Sequence, residues 1–414
     1  MNELEFAKRI HELGGKAYLV GGAVRDKFRG VAAHDRDYCV TGIDESTFTA
    51  GFPDAPKFGK SFPVYSVEID GASCEVAFAR TERKVGTGYH GFEILFSPDV
   101  TIEQDLYRRD TTINAMAIEL LNGELVDPFG GREDIINKKI RPVSEHFTDD
   151  PVRALRAARQ ASQFGFEICA ETVEAMRCCA NELAKEPTER IFGELNTALK
   201  TVEPSVFFRS LERADLLRVT FPEIDQLRGK TQPVEFHPEG DAYEHTMNIL
   251  DEVAKVNPRP IVRFAALVHD IGKGKTPPEV LPHHYLHEKR GLEVLGQMDK
   301  RMTLPRDWKK SAVFVIREHM RAPRLEKKGK IVELLLKMNS LNIGVQGFCD
   351  IIRLDNNGLP PYLEHAQKII DELLKIGGKD APIDLAGNAI GEWVQQARIR
   401  RFAEICSEKF AGSD

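Results

Sequence analysis

The sequence predicts an α/β or α+β N-terminal unit followed by an almost wholly α-helical remainder. Between residues 17 and about 140, short β-like apolar runs alternate with turns; beyond that point apolar residues recur with the helical period. The chain has 414 residues, 42% apolar and 29% charged, enough for two to four domains with buried cores. That composition excludes disorder as the dominant state.

The elements follow in order. Tyr18-Leu19-Val20 reads as an apolar strand leading into a Gly21-Gly22 turn and a helix start. Val64–Ile69, then Asp70-Gly71, then residues 74–79 form a hairpin, because Asp-Gly readily takes the positive φ angles of a tight turn. Residues 115–121 make another strand, with Asn122-Gly123 as its turn and residues 124–126 returning. Helix-period positions such as Val152, Leu155 and Ala158, then Leu195 and Leu199, fill residues 150–225, broken by Pro187 and Pro204. A polar stretch over 226–240, with Gly229, Pro233, Pro238 and Gly240, reads as a linker. A second helical block runs from 241 to about 376, and 389–410 is one more amphipathic helix. The expected segments are therefore 1–140, 141–225, 226–376 and 377–414.

Global properties narrow the setting. With 57 Lys+Arg against 64 Asp+Glu the formal charge is −7, which speaks against bulk binding to a polyanion. Seven cysteines, odd in number and without a CxxC spacing, point to free thiols in a reducing cytoplasm. The opening MNELEFAKRIHELGG fits neither a signal nor a transit peptide, and no apolar run reaches the roughly 18 residues of a membrane helix. No membrane partner is expected.

Residues 18–37 read YLVGGAVRDKFRGVAAHDRD. Alternate strand residues share a face, so Asp35 and Asp37 would present neighbouring carboxylates that repel unless a divalent cation lies between them. Two Mg²⁺ ions on such a pair suit activation of a 3′-hydroxyl and stabilisation of leaving pyrophosphate. Gly21 and Gly22 let backbone N–H groups approach triphosphate oxygens, and Arg25 adds positive charge. The bland alternative for the two aspartates alone is a solvated strand end.

The combination LVGGAVRD…DRD, FARTERKVGTGYHGFEILFSPDVTIEQDLYRRDTTINAMA and DPFGGREDI resembles the head of the bacterial class II CCA-adding tRNA nucleotidyltransferases. The resemblance implies a polymerase-β-like head with a mixed sheet, followed by an all-α neck and body. Within it Asp35 and Asp37 fall on the catalytic metal-binding carboxylates, and Glu75 is a weaker candidate for a third acidic group. Gly22, Arg25, Arg108, Arg109, Asp110 and Asn114 fall on nucleotide-binding positions; Thr111 stands where the family usually has an apolar residue. Residues 80–96 match the flexible loop required for the final A, which favours full CCA addition.

FTDDPVRALRAAR opens a helix, with Thr148 or Asp149 as cap and Pro151 in the first turn. Asp150 and Arg153, three residues apart, share a helical face. Asp only accepts and Arg only donates, a pair that matches the amino donor and ring-nitrogen acceptor common to cytosine and adenine. On spacing alone a capped helix with an i,i+3 ion pair is the better explanation of the residues. The resemblance assigns Asp149-Asp150-Pro151-Val152-Arg153 to the family's EDxxR base-recognition motif, with Asp149 in place of Glu and with Arg156 and Arg159 as further nucleotide-binding candidates. PTERIFGELNTAL is similar to the family's ERxxxELxKAL segment, retaining Glu189, Arg190 and Glu194 with Thr197 for Lys, and reads as mainly structural.

In the helical half, HPEGDAYEH (237–245), HDIGK (269–273), HYLHEKRG (284–291) and LDNNG, containing Asp355, follow one another on successive predicted helices. Imidazole with carboxylate suits Mn, Co, Ni or Zn, and an open coordination position suits phosphoester cleavage. For any single one of these histidines an ordinary core or surface role is the better reading. Together they resemble the HD phosphohydrolase domain fused to some bacterial CCA enzymes. That resemblance assigns metal ligation to His245, His269, Asp270 and Asp355, and phosphate or second-metal roles to His287 and His319. Lys273 is either a phosphate contact or a solvated lysine. The implied activities are 2′,3′-cyclic phosphodiesterase and phosphatase or 2′-nucleotidase, directed at damaged RNA 3′ ends. Residues 286–338 carry 14 Lys/Arg against 7 Asp/Glu, a basic stretch in an acidic chain that could meet tRNA phosphates or serve as solvated helix faces.

The expectation is a cytoplasmic enzyme, monomer or homodimer, that adds C, C and A to tRNA from CTP and ATP with Mg²⁺, and hydrolyses terminal phosphates with a transition metal. The rivals are a bacterial poly(A) polymerase or A-adding enzyme, and a catalytically inactive RNA-binding module. Against the polymerase stand FGKSFPV (58–64) where a GRRF-type element is usual, and a C-terminal AGSD in place of a long basic tail.

Overall fold

A computed structural model describes the chain except residues 33–34, 59–61, 87–90, 236 and 411–414 and the side chains of 92 and 408–410. Parts of FGKSFPV and of the 80–96 loop, and all of AGSD, thus lie outside the described residues. Two compact units result, Met1–Glu194 with Val206–Thr220, and Leu195–Ser205 with Phe221–Asp414.

The first unit is built on strands β1 (Lys16–Val20), β2 (Asp37–Thr41), β3 (Lys57–Phe58), β4 (Val64–Ile69), β5 (Ala72–Phe78), β6 (Arg80–Lys84), β7 (Phe92–Phe96), β8 (Ala117–Glu119) and β9 (Leu125–Val126). Seven of them form one sheet in the order β3-β4-β5-β2-β1-β8-β9. It is mixed: β2 and β5 are parallel and the other neighbours antiparallel. Alternation decides its faces. Ala17, Tyr38 and Val40 join Phe6, Phe48, Tyr65 and Phe78 in one core, whereas Tyr18, Val20 and Cys39 join Leu106 and Ala115 in the other. The expected hairpin forms between β4 and β5, with Asp70 and Gly71 both at positive φ (53° and 75°). β6 and β7 make a separate hairpin around the loop.

Three local expectations need correction. Asp35 does not share a strand with Asp37: β1 gives way to the glycine turn after Val20, whose register partner is Asp37, so β2 begins there and Asp35 lies in the preceding bend. The strand expected over 115–121 shortens to Ala117–Glu119, because Thr112–Asn114 close a 3₁₀ turn that ends at Ala115. Neither Thr148 nor Asp149 caps the helix Val152–Phe164. Thr148 donates to the Glu145 carbonyl, Asp149 faces His146, and the Asp150 carboxylate takes the Val152 N–H at 3.2 Å.

The second unit is helical, with Ala242–Val256, Pro260–Val268, His287–Met302, Arg306–Glu318, Lys328–Asn339, Gly344–Asp355, Ala366–Leu374 and Asn388–Phe410 as its longer helices. Val315, Leu335, Met338, Phe348, Ile352, Ile370 and Phe402 pack in its core. Among the described residues no helix is long and apolar enough to cross a membrane.

Candidate active sites

The parallel pairing of β2 with β5 sets Asp37 against Glu75, so the sheet brings a third carboxylate beside the aspartates. Burial and the negative charges of Glu75 and Asp35 raise the Asp37 pKa, against Arg109, which lowers it. Repulsion between Asp37 and its acidic neighbours is of the kind a divalent cation relieves. Arg36 turns aside to Asp70, at 2.6 Å.

Behind them Gly21 adopts φ 67°, ψ −129°, and a Cβ there would lie 3.0 Å from Arg109 Nη1. Arg108 and Arg109 both rest on Asp105, which accepts from them at 2.7 and 3.0 Å and is 1% exposed. Arg108 also donates to Glu82 of the loop hairpin, 2.8 Å away. Arg25 donates to Asn114 (2.7 Å), pairs with Asp26 and lies over the Phe164 ring. Asp110 is buried and fully engaged: it accepts from Thr111, Asn114, Gln160 and Arg156, the last at 2.8 Å. Burial alone would raise its pKa, yet Arg156 and these donors hold it well below the usual carboxylate range.

The base-recognition candidates do not pair with each other. Asp150 accepts from Arg190 at 2.8 Å, Arg190 being held in turn by Glu186 at 2.7 Å. Arg153 donates to the His146 carbonyl at 2.6 Å and lies 3.9 Å from Glu82. Arg159 donates to Glu194 and Gln163.

The helical unit gathers the other set. His269 Nδ1 lies 2.7 Å from the Ala266 carbonyl, which only accepts, so Nδ1 bears the proton and Nε2 offers a lone pair. By the same logic His245 Nδ1 donates to Glu239 (2.5 Å), His287 Nδ1 to the His284 carbonyl (2.9 Å) and His319 Nδ1 to the Ile316 carbonyl (3.0 Å). All four Nε2 atoms then face carboxylates. His245 is 3.1 Å from Asp355, and His269 is 3.2 Å from Asp270 and 3.5 Å from Asp355. On the other oxygen of Asp270, His287 and His319 stand at 3.2 and 3.4 Å. His269 Nε2 and Asp270 Oδ1 are buried with no hydrogen-bond partner among the described residues.

Acceptors facing acceptors in a buried site call for a cation. A proton is one answer: burial lowers the His269 pKa, but Asp270 and Asp355 raise it to about 10. A divalent metal is the other, and the donor set fits one. Lys273 is not a solvated lysine; it is buried, with Nζ 2.5 Å from Asp270.

Comparison with known proteins assigns a domain family to each part of the chain. Residues 17–141 match the Poly A polymerase head domain, 165–227 the probable RNA and SrmB-binding site of polymerase A, and 242–357 the HD domain. The multifunctional CCA protein of Xanthomonas campestris pv. campestris (strain B100) is 40% identical over 411 residues, covering 95% of this chain and 99% of that protein. The chain belongs to the multifunctional CCA protein family. The multifunctional CCA protein of Acinetobacter baumannii (strain ATCC 17978) is 38% identical, covering 94% and 97%. A Bacillus stearothermophilus CCA-adding enzyme solved with CTP shares the fold at a TM-score of 0.66 and 23% identity, covering 98% of this chain and 92% of that one. A Thermotoga maritima CCA-adding enzyme complexed with tRNA shares it at 0.60 and 23%, covering 98% and 94%. As a multifunctional CCA protein, the chain is a CCA-adding nucleotidyltransferase with a polymerase-β-like head, a helical body and an HD domain. Both catalytic folds imply divalent metals.

Several residues that support these candidate sites were not singled out from the sequence of this multifunctional CCA protein. Asp105 stands three and four residues before Arg108 and Arg109, a helical ion-pair spacing visible in EQDLYRR. Arg190 lies in a segment read as structural, yet reaches Asp150. Glu239 sits inside HPEGD and orients His245. For Glu82 and Gln160 no local signal exists, since their partners are 26 and 50 residues away.

Proposed function

We propose that residues 1–140 transfer nucleotides, 141–225 select the base, 226–376 hydrolyse terminal phosphates, and 377–414 are a helical tail. In the head, the tRNA 3′-hydroxyl attacks the α-phosphate of CTP twice and of ATP once, with pyrophosphate leaving. Mg²⁺ held by Asp35 and Asp37, with Glu75 beside them, supplies when bound the positive charge this displacement needs. Gly21 and Gly22 admit triphosphate oxygens to the backbone, and Arg109, directly behind them, offers its guanidinium. Arg108 and Arg25 add donors, while Asp110 and Asn114 hold Arg156 and Arg25 in place. Asp150 and Arg153 offer the acceptor and donors that cytosine and adenine share. The relatives solved with CTP and with tRNA support these partners, and the cytoplasm is where the reaction is placed.

In the HD unit, His245, His269, Asp270 and Asp355 would hold Ni, Co, Mn or Zn. His287 and His319 face the shared carboxylate from the other side, where a phosphate or second metal would lie, and Lys273, on the same oxygen as His269, is a further phosphate candidate. The substrates are 2′,3′-cyclic and terminal 2′-phosphates of RNA 3′ ends.

The observation that carries the reading is the Asp37–Glu75 register beside Asp35 and the glycine turn. Incubation with Mg²⁺, tRNA lacking its 3′ end and each labelled nucleotide tests it. Incorporation of C and then a single A is expected; long A tracts would favour the poly(A) polymerase, and no incorporation the binding module.

A further inference from the structure

Between the HDIGK segment and His287 the chain makes an outward excursion that the two sites leave unexplained. His284 is pinned at both ring nitrogens, 2.8 Å from Thr276 Oγ1 and 3.0 Å from the Thr231 carbonyl. Arg290 binds the same Thr276 hydroxyl at 3.1 Å. His287 is buried, with Nε2 on Asp270. Between these fixed points Tyr285 and Leu286 are 67% and 56% exposed. Leu286 takes φ 59°, a left-handed conformation that a branched residue rarely adopts. Tyr285 lies nearly parallel to the His283 ring, centroids 5.6 Å apart. An exposed aromatic with no core to fill is thus held by a clamped backbone two residues from a metal-site histidine.

Two residues span at most about 7 Å, comparable to the reach from a nucleobase to the 2′,3′ edge of its ribose. Exposed Lys275 and Lys289 belong to the same stretch and complement a phosphate backbone. Unpaired RNA ends are commonly read by stacking on such rings. We propose that Tyr285, backed by His283, is a stacking platform for the terminal base of a single-stranded RNA 3′ end whose phosphate lies at Asp270 and His287. This rests on the HD-hydrolase reading above and adds to it the element that selects nucleotides over other phosphate esters.

The full chain with Ni²⁺ is assayed on adenosine 2′,3′-cyclic phosphate and on 1-O-methylribose 2,3-cyclic phosphate, which lacks a base. Tyr285→Ala is expected to raise KM for the adenosine compound about tenfold with kcat little changed. The abasic compound should be unaffected, and Tyr285→Trp should restore the preference. Equal losses on both substrates, or no loss on either, overturn the platform. If the unaltered protein hydrolyses neither, the hydrolase reading falls on its own. Calorimetric binding of adenosine 2′-phosphate against ribose 2-phosphate then decides: a preference that Tyr285→Ala abolishes supports the platform, and an unchanged or absent preference overturns it.

Discussion

Asp105 holds the two arginines of the RRD motif on one buried carboxylate, and that burden makes it a pH-sensitive support of the head. Burial would raise its pKa from 3.8, but Arg108 and Arg109 lower it to about 2. A depressed carboxylate pKa contributes stability in full above the unfolded value and loses it as pH falls toward the folded one. About 2 kcal/mol is therefore expected to disappear between roughly pH 4 and 2. Denaturant melts should show Asp105→Asn destabilised near neutrality, with the gap to the unaltered protein closing over that range. Arg190 supports Asp150, the carboxylate proposed to read the base, in the same indirect way. Arg190→Ala frees the Asp150 carboxylate, and loss of one partly exposed ion pair, about 1 kcal/mol, predicts a KM for CTP and ATP roughly fivefold higher. Measured misincorporation of UTP should rise with it. Asp150 and Arg153 were legible as a motif, but their partners were not: an i,i+3 spacing offers each the other, and the fold gives Asp150 to Arg190 instead.

At the scale of elements, the sites depend on two close approaches of backbone. Gly21 ends β1 in a conformation foreign to a residue with a Cβ, against Arg109. Gly21→Ala should cost roughly fivefold to a hundredfold in nucleotide addition, by a backbone strain of about 1–3 kcal/mol, while hydrolysis by the HD unit is unchanged. Gly272 packs the HDIGK turn onto the helix His287–Met302 so tightly that a Cβ would overlap the His287 carbonyl oxygen and the Gly291 backbone. Gly272→Ala is expected to lower the thermal stability and the metal affinity of the HD unit together, read by calorimetry. The Asp-Gly hairpin was legible because its turn chemistry is local. The start of β2 was not, because it is set by where β1 stops pairing, and neither was the cap of Val152–Phe164, where the third acidic or hydroxyl residue in FTDD does the work expected of the first two.

For the whole molecule, a formal charge of −7 conceals an uneven distribution. Several acids are gathered at the two sites, whereas residues 286–338 hold 14 cations against 7 anions. If that stretch meets tRNA phosphates, affinity should fall by about tenfold or more between roughly 50 and 200 mM salt, measured by filter binding. The two-site organisation was legible because each carboxylate or histidine set follows its own motif order. The convergence of four Nε2 lone pairs on Asp270 and Asp355 was not: each tautomer is set by a group three to six residues away, but the rings come from separate segments that only folding brings onto those carboxylates. The central claim is that one chain holds two chemically independent centres. It is tested most directly by assaying Asp37→Ala and His269→Ala, each verified as folded, for both C and A addition and cyclic-phosphate hydrolysis. The account predicts that Asp37→Ala abolishes addition and keeps hydrolysis, with the reverse for His269→Ala; loss of both activities in either folded variant would contradict it.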